Sequence, residues 1–163
     1  MGTLLEDLQK QSDWIVKAFA ADKITLDYSI HSFIEVDRFF NRHSRDGKAI
    51  KGGRLSQNLG LIIFGLGSYV GQTFMKNIPG CIWQTDDKDP QGEINASIQF
   101  PDGTIIFPMQ KLMKRFQNGF EDAVYVYGHH LAKGYIDEPF DQSFWNVNSE
   151  LTTSEKKPWW KFW

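Results

Sequence analysis

The sequence predicts an α+β fold, a single domain of four or five helices around a small antiparallel β-sheet, with an aromatic C-terminal tail. Three observations predict it. Residues 55–83, LSQNLGLIIFGLGSYVGQTFMKNIPGCIW, are the one long apolar segment. Within it Leu59, Ile62, Ile63, Leu66, Val70 and Phe74, with Tyr69 on a flank, recur at the three- and four-residue spacings of a helix buried on much of its circumference. Four further stretches repeat that period, whereas residues 94–107 alternate in the manner of strands and turn at Pro101-Asp102-Gly103. With 163 residues, 41% hydrophobic and 15% aromatic, the chain has material for one sizeable core and is short for two.

In order along the chain, Leu4, Leu5, Leu8, Trp14, Ile15, Ala18 and Phe19 predict an amphipathic helix over 3–21, broken at Asp22-Lys23. A second helix is expected over 26–43, with Leu26, Ile30, Phe33 and Phe40 on one stripe and Asp27, His31, Glu35, Arg38 and Arg42 on the other side. Asp37 breaks this pattern, because at 100° per residue it falls inside the apolar stripe and its carboxylate needs a buried donor or cation. A Tyr, Trp, Arg or backbone N–H donor from the central helix or its cap is the expected partner, and residue type favours Tyr69. Residues 45–54, RDGKAIKGGR, have no apolar period and read as an exposed connection.

The central helix is expected to start at Ser56 as its cap and to stop at Pro79-Gly80. Gly60, Gly65, Gly67 and Gly71 each cost roughly 1 kcal/mol of helix propensity relative to Ala, which predicts that other backbone crosses closely there. Strands are expected over 81–84, 94–100 and 104–107, making a three-stranded sheet with one face covered by a helix. Pro108 opens a helix that Asn118-Gly119 ends, and a last helix is expected over 120–133. The expected division is an α+β domain over 1–134 and a C-terminal extension over 135–163 ending in KKPWWKFW.

A formal net charge of −2 and a pI near 6.1 give no global positive field for nucleic acid, so no nucleic-acid partner is expected. One cysteine, Cys81, excludes an intramolecular disulfide. No charged start with an apolar run precedes the first helix, and no uncharged run reaches the roughly 20 residues of a membrane span. The expectation is a cytoplasmic protein.

LDYSIHSFIEVDRFF at 26–40, LGSYVGQ at 66–72, the later GCIW, the FPDGTIIFP hairpin and the KRFQNG helix end together resemble a family of small bacterial cytosolic proteins, itself a domain of unknown function. That family carries "LDYS..SL..LD.FL" and "LGxYxGE … GGxW" blocks, and the likeness spans about residues 26–131. The resemblance implies the α+β fold and a stand-alone accessory or immunity protein encoded beside a bacterial toxin. Gln72 stands where the family usually has Glu, which removes the acid that catalysis would most have used.

Candidate chemistry is sparse. Asp27, His31 and Glu35 share a helix face at i, i+4, i+8, but Arg38 and Arg42 continue that face and neutralise it. His129-His130 point about 100° apart and chelate one ion poorly. The glycines of GLGSYVG lack the preceding strand and spacing of a dinucleotide fingerprint. Cys81 beside Ile82 and Trp83 reads as a buried, inert thiol. No catalytic residue, metal or cofactor is therefore expected. The preferred reading is a non-catalytic binding protein, most concretely an immunity protein that occludes a cognate toxin. Acidic patches such as Asp86, Asp87 and Asp89 with Lys88 among them, and Glu121-Asp122, or Asp137-Glu138 and Asp141, would steer a basic protein partner. The alternative is an enzyme or small-ligand receptor with Asp37, Tyr69 and Gln72 lining a pocket. In the tail, Trp159, Trp160 and Trp163, interleaved with lysines, suit a partner's groove, a strap on the domain itself or a neighbouring chain, or, as a third reading, a membrane interface, and the bland alternative is a disordered end.

Overall fold

Helix α3 (Leu55–Asn77), kinked near its start where Asn58 leaves helical geometry at φ −128° and ψ 38°, is the axis on which the other elements pack, and three of its glycines mark where they arrive. In this computed structural model, which describes residues 2–150, a Cβ at Gly65 would come within 3.2–3.3 Å of Trp14 and Ile15, on helix α1 (Leu4–Ala21). A Cβ at Gly67 would meet Met109 at 2.9–3.0 Å, its Cα included, on helix α5 (Pro108–Asn118). One at Gly71 would overlap the Trp83 indole. Gly65 and Gly67 are about 200° apart on the helix and Gly67 and Gly71 only about 40°. Thus α1 lies on one flank, with α5 and the sheet on the other. Among the described residues nothing lies within 4 Å of a Cβ at Gly60, so the expected close approach is not found there.

The sheet has the order β3-β4-β5, all antiparallel, from β3 (Ile82–Gln84), β4 (Ser97–Gln99) and β5 (Ile105–Ile106). Trp83, Ile98 and Ile106 form its inner row, buried against α3, and Ile82, Gln99 and Ile105 its outer row. The expected strand over 94–100 is shorter than its alternation suggests. Residues Gly92–Asn95 instead form a helical turn, α4, and Ile94 is exposed.

Helix α2 (Phe33–His43) starts later than the apolar period implied. The Asp27 carboxylate takes the backbone N–H and hydroxyl of Ser29, Tyr28 adopts φ 62°, and Ser29 then caps a 3₁₀ turn over Ile30–Ser32 through Ser32 N. Residues expected to be a plain connection form a hairpin, β1 (Ser44–Arg45) with β2 (Lys48–Ala49). Its two-residue turn is Asp46-Gly47, at φ 54° and 75°, the geometry that a tight hairpin with right-handed strand twist requires. Ser56 does not cap α3, since its hydroxyl donates to the Gly53 carbonyl.

The last expected helix divides into a 3₁₀ turn (Gly119–Asp122) and α6 (Val124–Ala132), which packs on α2 with Gly128 against the Phe33 ring. Beyond Gly134 the chain still feeds the same core, because Phe144 and Val147 are fully buried and Phe144 stacks on Phe120. Among the described residues no helix is long and apolar enough to cross a membrane.

Candidate functional site

Asp37 is buried and paired, as its break in the stripe required, but not with Tyr69. Its Oδ1 accepts from Arg115 Nε at 2.8 Å and from Val124 N at 2.9 Å, and its Oδ2 accepts from Tyr125 N at 2.8 Å. Arg115, 1% exposed, also donates to the Asp37 carbonyl and to Asn41 Oδ1, and its guanidinium lies over the Phe40 and Phe120 rings. Burial pushes the Asp37 carboxyl up, while the Arg115 charge and the two backbone N–H groups oppose it. Every one of these partners is a donor, so the ionised carboxylate is the form that satisfies them.

The network has a structural reason. Ala123 precedes α6 and has no side chain able to cap it, so Asp37 supplies from α2 the acceptor for the first two N–H groups of α6. Arg115 then neutralises that acceptor. Sequence reasoning missed Arg115, although the signal was present: it follows Leu112 by three residues and so lies on the apolar stripe of α5, as Asp37 lies on that of α2.

Tyr69 belongs to a second, separate network. Its hydroxyl shares a 2.6 Å hydrogen bond with Ser32 Oγ and accepts from Tyr28 N at 2.8 Å, locking the positive-φ turn before α2 onto the central helix, and burial pushes its pKa up to about 12. Gln72 bridges two elements: its amide donates to Gln9 of α1, and Trp83 Nε1 donates to its carbonyl at 3.4 Å. No hydrogen bond recorded for Asp37, Tyr69 or Gln72 links one of the three to another.

The other candidates are likewise dispersed. His31 pairs with Asp141, and Glu35 with Arg38, while Asp27 holds Ser29. His129 Nε2 meets the Glu138 carbonyl. Burial raises the Cys81 thiol to about 11, far from a thiolate nucleophile. Among the described residues no group of three or more His, Cys, Asp or Glu is placed to hold a metal. Trp159, Trp160 and Trp163 lie outside the described residues.

The surface offers more than the interior. Ile82 is 61% and Ile105 49% exposed, on the outer row of the sheet with Gln99 between them, and Phe107 and Ile94 are also exposed. The strand that carries Ile82 runs directly into the acidic loop. Its carboxylates are held by local donors: Asp86 by Lys88 N, Asp87 by the N-terminal backbone N–H of α1 at Leu4, and Asp89 by Gln91 N and Asn95 Nδ2. The Asn95 and Gln91 donors keep Asp89 below the usual carboxylate range. Because Asp87 ties the loop to the start of α1, Glu6 and Asp7 of that helix's first turn belong to the same acidic end. Beside it Gln84, Asp86, Asp89 and Asn95 line an open groove of about 240 Å³.

Comparison with protein-family models, with curated proteins and with solved structures finds no match to this chain.

Proposed function

We propose that this protein works by binding another protein, most concretely as an immunity-type protein that neutralises a cognate toxin by covering it. The observation that carries the reading is the junction of an uncovered apolar sheet face, Ile82 and Ile105, with the loop bearing Asp86, Asp87 and Asp89. An apolar centre with a mainly acidic margin, in which Lys88 is the one basic residue of the 86–89 loop, is the anatomy of a protein interface, in which the centre supplies affinity and the charges steer a basic partner. The polar interior groups support the same reading, since Asp37 and Arg115 are committed to each other and to capping α6.

Co-expression with the toxin-like product of an adjacent gene tests it. Growth should be rescued by the wild-type protein and lost with Ile82→Asp or Ile105→Asp, at unchanged melting temperature because both side chains are exposed. Rescue that survives both substitutions, or turnover of a small molecule by the purified chain, contradicts the proposal.

A further inference from the structure

A second apolar surface includes Trp145, five residues before the last described residue, Glu150. Phe120, Val126, Tyr127 and Trp145 line an open groove of about 450 Å³, with Glu121 and Lys111 at its polar margin. Trp145 is held from one side by Phe140 and Phe144 and remains 53% exposed, and Val126 is 37% exposed. Lys111 is occupied, pairing with Asp122 and lying over the Tyr127 ring.

We propose that residues 158–163, PWWKFW, dock back into this groove as an intramolecular strap. Reach allows it. Glu150, the last described residue, is fixed by both of its carboxylate oxygens to Arg38. It lies five residues after Trp145, at most about 18 Å away, whereas the seven residues 151–157 span up to about 25 Å. The chemistry matches as well. Four of the six residues are aromatic, each able to bury about 150–250 Å². Lys156, Lys157 and Lys161 suit the Glu121 carboxylate on the groove margin. A tether this short holds the strap at an effective concentration of the order of mM, far above that of a second copy in dilute solution, which favours docking within one chain.

The test uses the full chain, deletion of 158–163, the groove variant Val126→Glu, and their combination. Deletion and Val126→Glu should each lower the melting temperature by about 2–4 °C, as expected for a chain of this size losing a small apolar contact. The combined variant should lose no more than the larger single loss, because both remove the same contact. Acrylamide quenching of tryptophan fluorescence should rise in Val126→Glu to an extent that does not change on dilution. Glu121→Lys, at an exposed position, should raise quenching in the same direction while leaving the fold intact. Additive losses, or a deletion without effect, overturn the proposal. Protection that fades on dilution assigns the groove to a second copy and overturns it too. So does protection that arises only with phosphatidylserine vesicles, which would make the tail a membrane contact.

Discussion

Asp37 and Arg115 meet because each interrupts the apolar stripe of its own helix, and the two interruptions are complementary in charge. Removing either partner of such a buried pair costs about 3–5 kcal/mol. Asp37→Ala should be the more damaging, since it strands the Arg115 guanidinium together with the Val124 and Tyr125 N–H groups, whereas Arg115→Met leaves the Asp37 carboxylate with both backbone donors. Urea midpoints of the two variants decide this, and equal midpoints, or no shift for Asp37→Ala, would refute it. His43 gives a pH signature. Its ring is buried against Phe39, its Nδ1 accepts from Arg54 N, and burial, with Arg42 and Arg54 nearby, lowers its pKa to about 4. An unfolded histidine titrates near 6.5. As pH falls from about 6.5 to 4 the unfolded chain binds a proton that the folded chain refuses. Stability should therefore drop across that window, by about 3 kcal/mol at its acid end. His43→Asn keeps an acceptor for Arg54 N and should flatten the slope; an unchanged slope in that variant would show that other groups set it. At this scale the sequence revealed that Asp37 must be buried and paired. It did not reveal the partner, because residue type favoured Tyr69 while tertiary packing brought α5 and the start of α6 to the carboxylate.

Among the elements, the long periodic segments were legible and the short ones were not. Helices α1, α3 and α5 follow their apolar periods closely, because a buried stripe of several turns has one solution. The hairpin at Asp46-Gly47 escaped because two-residue strands have no period to read, although the Asp-Gly pair was its signal. Ala123, where the last helix breaks, escaped because the cause is a cap from Asp37, eighty-six positions away in sequence. The glycines of α3 convert this into a measurement. Gly60→Ala adds helix propensity into open space and should stabilise by up to about 1 kcal/mol. Gly67→Ala pushes against Met109, backbone included, and should destabilise by about 1–3 kcal/mol despite the same gain in propensity. Equal effects in thermal unfolding would contradict the packing of α5 on α3.

For the whole molecule, charge distribution matters more than net charge. A formal charge of −2 conceals an acidic end made from the 86–89 loop and the first turn of α1, adjoining bare isoleucines on the sheet. The loop's acids could be picked out in the sequence. Their apolar neighbours could not, because the outward direction of Ile82 and Ile105 follows from strand register and from α3 covering the other face. The binding account is tested most directly by the association rate of the purified protein with the proposed toxin partner, the product of the adjacent gene, as a function of salt. Reversing Asp86, Asp87 and Asp89 to lysine should slow association by tenfold or more at low ionic strength and abolish most of its salt dependence, with Ile82→Asp instead accelerating dissociation. An association rate indifferent to the three reversals and to salt would contradict the account.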